Sequence, residues 1–331
     1  MDTPVTPTPT PYQLPPERHT TLKRVAFAVI VLSALVTIAA YGVPFLNKNS
    51  DGPKVSSVVI APIAVAIGTS PASPLYVSAK NSSGLVPLTV TVGGVALSAL
   101  DSIRGIENSW YYLLSEGTTT PVGNLYQKKS DGSVVQLTHS LTEKYNLSYD
   151  STSGLFAYET LSTTTRQNSG SNPVGDLVVF DPAKNTETVV AKGSNPHLTL
   201  GGIGLIFTHG NEIQTLQFGS HATSTLLKLT TDAIYALSPD ATQLSVYDPS
   251  TQKIDHFQRK DGAPPFKVFS DTLTFKPIAL GYVGGYILAG YAIQDGTNSY
   301  LHFYRPDLGP KKEVILKNIP NGLLQRIYTY E

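Results

Sequence analysis

The chain has 331 residues, with 24 acidic against 24 basic side chains and no cysteine. Zero net charge gives no electrostatic footprint for nucleic acid, and the missing thiols exclude disulfides, thiol catalysis and cysteine-ligated zinc. Charged residues make up only 15% of the chain and 18 tyrosines carry the aromatic load, a composition of strands and turns rather than of charged amphipathic helices.

Residues 1–24 are rich in Pro and Thr, with Pro at positions 4, 7, 9, 11, 15 and 16. Such a segment favours extended, polyproline-like chain over a packed fold, so a disordered tail is expected. Residues 25–46 then read VAFAVIVLSALVTIAAYGVPFL, without a charged side chain. At about 1.5 Å per residue this run makes a helix of roughly 33 Å, enough to cross a hydrocarbon core of about 30 Å. Arg18, Lys23 and Arg24 precede it, whereas Lys48 and Lys54 follow it. That bias predicts a single-pass signal-anchor with a cytoplasmic N-terminus and an extracytoplasmic C-terminal domain at the cell membrane. The alternative is a secreted protein released by signal-peptide cleavage near Ala40, where small residues follow the apolar core.

Residues 47–57 (NKNSDGPKVSS) form a polar linker, and residues 58–331 form the extracytoplasmic domain. An exported domain without disulfides must be held by its core and its strand ladders. Residues 58–100 carry short apolar runs (VVIAPIAVAIG, SPLYVSAK, LVPLTVTV, GVALSAL) that read as strands. From Trp110 onward, runs of five to eight residues alternate with Gly, Asp, Asn, Pro and Ser clusters. WYYLLSEG, LFAYETLS, LIFTHGN, QLSVYDP and YILAGYA each open a group of strands, starting near residues 110, 155, 205, 243 and 286. Tight turns are expected at Asp131-Gly132, at 182–185 and at 249–252. Recurrence every ~40–45 residues, with four strands per unit, is the spacing of β-propeller blades. Strand spacing also permits tandem β-sandwiches.

The stretches SPDATQLSVYDPSTQKIDHF (238–257), DLVVFDPAKNTETVV (176–190) and NLYQKKSDGSVVQLTHS (124–140) resemble blades of the WD40-like and TolB-like propellers. In those families a Ser-Pro-Asp corner follows an inner strand, and an outer hairpin turns through Asp-Pro. The resemblance covers about residues 105–331 and implies an all-β propeller of about five to six four-stranded blades behind one transmembrane helix. It departs from the pattern at Ala241, where the family usually has Gly.

Signatures for a serine nucleophile elbow, a zincin, a P-loop, an EF-hand and a dinucleotide fold are absent. No catalytic or cofactor-binding residue is assigned, and no cofactor is expected. His197, His209 and His221 lie twelve residues apart. If twelve residues made one hairpin, their imidazoles would converge at a sheet rim as a zinc site; the plainer reading is chance spacing. Tyr111, Tyr112, Tyr282, Tyr286, Tyr291 and Tyr300 combine apolar area with a hydroxyl, suiting either a ligand surface or blade packing. Asp181, Asp248, Asp307 and Asp240 are expected to close turns by accepting backbone N–H bonds. Asn81 and Asn146 open N-x-S/T triplets.

Three functions follow as expectations. The first is a membrane-anchored propeller that binds an envelope protein or a cell-wall polymer as a scaffold module, without nucleic acid and with the bilayer as partner through 25–46. The second is an extracellular glycan hydrolase or lyase with two acidic groups at the propeller axis. The third is a passive β-sandwich stalk.

Overall fold

The computed structural model describes residues 63–68, 73–78, 85–116, 123–140, 142–161, 174–260, 263–283, 286–292, 299–305, 309–316 and 323–329. The tail 1–24, the apolar run 25–46 and the linker 47–57 lie outside the described residues, as do Asn81 and Asp307. Among the described residues no helix is long and apolar enough to cross a membrane. Val59–Glu331 forms one compact unit.

Among the described residues that unit is all-β, apart from a 3-10 turn at Leu200–Gly202. The first sheet joins β1 (Ile63–Gly68), β2 (Leu75–Ser78) and β3 (Leu85–Pro87) to the last strand of the chain, β24 (Leu323–Thr329), in the order β24-β1-β2-β3. The second runs β4 (Thr89–Val92), β5 (Val95–Arg104), β6 (Trp110–Ser115), β7 (Gly123–Lys128) and β8 (Val134–Gln136). The third contains β9 (Glu143–Asp150), β10 (Leu155–Leu161), β11 (Gly175–Asp181), β12 (Thr186–Leu198), β13 (Gly204–His209), β14 (Glu212–Gln217) and β15 (Thr223–Lys228). The fourth runs β16 (Ile234–Leu237), β17 (Gln243–Asp248), β18 (Lys253–Gln258) and β19 (Phe266–Thr272). The fifth runs β20 (Ala279–Val283), β21 (Tyr286–Ala292), β22 (Ser299–Arg305) and β23 (Gly309–Leu316).

All strand pairs are antiparallel; four sheets are meanders, and in the first sheet β24 pairs with β1, Ile63 with Thr329 and Gly68 with Leu323. In the third sheet, β12 changes partner along its length. Up to Gly193 it pairs with β11, and from Ser194 onward with β13. The break falls at Asn195, whose φ of 52° is left-handed, a conformation Asn tolerates better than most residues.

The apolar pattern of the strands explains how the sheets meet. Successive side chains on a strand face opposite ways. In β6, Tyr112 and Leu114 pack with Ala66 and Leu75 of the first sheet. Tyr111 and Leu113 pack the other way, with Leu147, Phe156 and Tyr158 of the third. A run such as WYYLLS is therefore apolar on both faces because both are covered. The same division recurs down the chain. Ala157 and Leu177 meet Leu205 and Phe207 across the bend of β12. Ile206 and Ile213 meet Leu237, Leu244 and Val246, and Tyr247 and Ile254 meet Leu280, Tyr282 and Ile287. The sixth joint returns to the start, where β20 packs on β24. A methyl group placed on Gly281 would stand 2.5 Å from the Ile327 carbonyl oxygen, so only glycine fits that approach. The contacts thus run in cyclic order from sheet to sheet.

The strand starts near 110, 155, 205, 243 and 286 match β6, β10, β13, β17 and β21, but these are second strands and not leading ones. Before each stands a strand the apolar pattern did not signal as the start: β5, β9, the second half of β12, β16 and β20.

Candidate functional site

Two of the missed leading strands, β5 and β9, bury Asp101, Ser102, Glu143, Lys144, Ser148 and Asp150, and further buried polar groups sit on the strands beside such leading ones. Asp101 on β5 is 0% exposed. Its Oδ2 accepts the backbone N–H of Leu147 on β9 at 2.8 Å and its Oδ1 that of Ser102 at 2.8 Å. Ser148 Oγ accepts the Leu198 N–H at 2.9 Å. Glu159 on β10 accepts from the Asn146 amide at 2.9 Å and from the backbone N–H of Asn195 at 3.2 Å. Thr208 and the Tyr235 hydroxyl share a short bond, and Tyr235 also bonds Asn195. Burial pushes the Tyr235 phenol up to about 12. Ser245 Oγ lies 2.6 Å from the Tyr282 hydroxyl and 2.7 Å from His256 Nδ1.

The bonds to Leu147, Leu198, Asn195, Tyr235 and Tyr282 share one geometry. A polar side chain on one meander reaches the leading strand of the next, through an N–H or a hydroxyl there. An edge strand has free N–H and C=O groups, and a buried one needs partners for them. The carboxylates of Asp101 and Glu159 are therefore employed in joining sheets. Ser245 and His256 have the pairing of a nucleophile and its base. Yet Ser245 is 0% and His256 1% exposed, between the fourth and fifth sheets. Burial drives the His256 pKa down to about 4 against the weaker opposing fields of Asp255 and Asp271, so the ring is neutral at pH 7. Its face stacks on Phe269, with centroids 5.7 Å apart.

A second polar cluster surrounds Lys144, at the start of β9 and 0% exposed. Its Nζ donates to Ser140 Oγ at 2.6 Å, the Gly123 carbonyl at 3.2 Å, Asn124 Oδ1 at 3.3 Å and Thr142 Oγ1 at 3.4 Å. It stands 5.8 Å from the centre of the Tyr158 ring. The Tyr158 hydroxyl donates to Glu187 and that of Tyr126 to Glu116, both in short bonds. Burial lowers the Lys144 pKa, while Glu187 and Glu116 oppose the shift. Burial also raises the Tyr126 and Tyr158 phenols, reinforced by their glutamates.

The predicted site residues fare differently. Tyr111, Tyr112 and Tyr282 are 7%, 3% and 6% exposed and belong to cores between sheets, so they offer no ligand surface. The reason is their place on strands covered on both faces. The backbones of Tyr286, Tyr291 and Tyr300 lie in β21 and β22, and their side chains lie outside the described ones. His197, His209 and His221 do not converge. Twelve residues make one strand and a turn here, not a returning hairpin. His209 ends β13 at the turn into β14, and His221 lies in the turn at the far end of β14. His197 is half-buried beside Ile206, with its pKa pushed down to about 4 by burial. No group of three His, Asp or Glu side chains that would hold a metal forms among the described residues.

The acidic turn residues act as their chemistry predicts. Asp181 accepts the Ala183 N–H at 3.0 Å, and Asp248 that of Ser250 at 2.9 Å. At the Ser-Pro-Asp corner, Asp240 accepts from Ser238 Oγ at 2.5 Å and from Thr242 N–H at 3.1 Å. Ala241 has φ 55°, which explains why glycine is the usual residue after such a corner. The Asn146 amide is held by Glu159, which opposes use of its triplet for glycan attachment.

Asp101, Lys144, Glu159 and Ser245 were not singled out from sequence. The available signal was a polar residue inside a strand-like segment, as in ALDSI and EKYNLSYD.

No family model matches the chain, and no curated protein matches it. Solved structures align with it in part. A protein assigned as a 6-phosphogluconolactonase from Bacteroides fragilis aligns at 11% identity and a TM-score of 0.42, over 82% of this chain and 98% of that one. An oligogalacturonate lyase from Vibrio parahaemolyticus aligns at 7% identity and 0.45, over 76% and 78%. A prolyl endopeptidase aligns at 13% and 0.43, over 68% of this chain and 43% of that one. At such scores none of them decides a blade number or an activity.

Proposed function

We propose that residues 59–331 form a six-bladed β-propeller outside the cell, tethered by residues 25–46, that serves as a binding or scaffold module for an envelope protein or a cell-wall polymer. The cyclic order of sheet contacts carries this reading. The seven-stranded sheet counts as two four-stranded blades sharing β12, and β24 completes the first blade. Each sheet is covered by a neighbour, as in radial packing, whereas a sandwich leaves the outer face of each sheet to water. Kinship with WD40-like or TolB-like propellers belongs to the same proposal and rests on the Ser-Pro-Asp corner and the Asp-Pro hairpins.

The buried polar groups support a platform rather than a reaction centre. Asp101 and Glu159 each hold two N–H donors, and Ser245 is sealed between sheets. A glycan hydrolase or lyase would need two carboxylates facing substrate, and neither of these does. Crosslinking in intact membranes, followed by solubilisation and capture of the full chain, tests the reading. An envelope protein or wall polymer recovered above background is expected; recovery of none would refute it.

A further inference from the structure

The direction of the strands fixes the end of the sheets at which β1 begins. The turn 105–109 follows β5, the turn 151–154 follows β9, and the turn 199–203 follows the second half of β12. All three lie at one end. Tyr111, just after the first turn, stands 4.9 Å from Tyr149, just before the second. A methyl group on Gly202 would meet Ser153 Oγ at 2.3 Å, which seats the third turn on the second.

Strand β1 begins at this same end. Leu75, across the β1–β2 hairpin from Ala66, bonds Leu88, and Leu88 bonds Ala99, through backbone contacts of 2.9 Å each. Ala99 lies in the half of β5 away from the turn at 105–109. The β1–β2 hairpin is thus at the far end, and Ile63 at the near one.

Three large aliphatic side chains are exposed at that near end: Ile106 at 53%, Leu200 at 63% and Ile203 at 66%. The fold holds them there. Gly202 N–H bonds the Thr199 carbonyl at 2.9 Å and Phe218 N–H bonds the Ile203 carbonyl at 3.0 Å. Arg104 is exposed at the end of β5 and bonds Asn108 at 3.2 Å, with Glu107 exposed in the same turn. Aliphatic tips held on hydrogen-bonded turns suit the headgroup–acyl boundary of a bilayer.

We infer that this end of the ring rests on the lipid bilayer, with Ile106, Leu200 and Ile203 entering its surface. The inference rests on the anchor reading, and its occupant is lipid because the chain reaches the ring at this end from an apolar run long enough to span a membrane.

The absence of cysteine permits a clean test. Full-length single-cysteine variants Ile106→Cys, Leu200→Cys and Ile203→Cys are labelled with an environment-sensitive dye and placed in vesicles of phosphatidylcholine and phosphatidylglycerol. Val95→Cys and Ile278→Cys report the opposite end, and Leu35→Cys reports the apolar run. Lipids spin-labelled high in the acyl chain are expected to remove most of the signal at positions 106, 200 and 203, and none above background at 95 and 278. Quenching at 35 without quenching at the three positions overturns this inference and leaves the anchor standing. No quenching at 35 overturns the anchor reading and the inference with it. Shielding of the three from aqueous iodide without lipid quenching assigns the surface to a protein partner or a second copy, and quenching at 95 and 278 instead turns the ring over; either result refutes the inference.

Discussion

His256 gives the sharpest energetic test of the seams between sheets. In water a histidine titrates near 6.5, but burial holds this one at about 4. Between those values the unfolded chain binds a proton that the folded chain refuses. Stability is therefore complete above about pH 6.5 and lost as pH falls toward 4. One pKa unit is worth about 1.4 kcal/mol, so the full loss is about 3 kcal/mol. His256→Phe removes the titration while keeping a ring against Phe269, and Ser245 keeps its bond to Tyr282. Urea unfolding of the full chain in mild non-ionic detergent is followed through Trp110, the single tryptophan, with circular dichroism checking that the transition is cooperative. At neutral pH the variant is expected within about 1 kcal/mol of the parent, the scale of one net hydrogen bond. At pH near 4 it is expected to have gained about 3 kcal/mol on the parent relative to that baseline. Carboxylates and His197 titrate in both proteins and cancel. An energy difference that stays constant from neutral pH to about pH 4 would refute the assignment of a buried, neutral imidazole.

Other perturbations test other joints. Asp101→Ala leaves the Leu147 and Ser102 N–H groups without their carboxylate, so a loss of about 2–4 kcal/mol is expected in the urea midpoint, with Asp101→Asn losing less. Gly281→Ala forces a methyl group to within 2.5 Å of the Ile327 carbonyl; β24 must shift, and faster proteolysis of the C-terminal strand is expected than in the parent. Lys144→Met removes an ammonium whose pKa is lowered by burial. The parent should gain stability as pH rises toward the ordinary lysine value of 10.5, because its folded form loses the proton first, whereas the variant should show no such gain at this site.

The second strand of each meander was legible because it is apolar on both faces. WYYLLS, LFAYETL and GLIFTH stand out in any pattern, and their starts at 110, 155 and 204 agree with the sequence reading to within a residue. The Asp-Pro and Asp-Gly turns were legible too, since an Asx side chain closes its turn locally. The leading strands were not. EKYNLSYD alternates Lys144, Asn146 and Ser148 with Tyr145, Leu147 and Tyr149, and its burial makes sense only once Asp101 and Glu159 are known to be adjacent. Those partners lie 46 and 13 residues away for Leu147 and Asn146, beyond what a local pattern records. The tyrosines misled for a related reason. Residue type favours a binding surface, but Tyr111 and Tyr112 sit on a strand with no open face.

The distribution of polar bonds also bears on how the ring keeps its order. Apolar slabs between similar sheets resemble one another, and Leu, Val and Tyr discriminate poorly among neighbours. A buried carboxylate that takes one N–H donor from its own sheet and one from the next discriminates more strongly, because a wrong neighbour leaves the second bond unmade at a penalty of about 1–3 kcal/mol. Asp101 selects the β9 strand, Glu159 and Ser148 the second half of β12, Thr208 the β16 strand and Ser245 the β20 strand. Each lies on one meander and addresses the next in chain order. β1, which reads IAVAIG, has no polar side chain with which to do the same. Its position is set instead by two antiparallel partners, β24 and β2. Within this sheet β1 is placed by backbone pairing on both sides, and one of its two partners, β24, comes about 260 residues later in the chain.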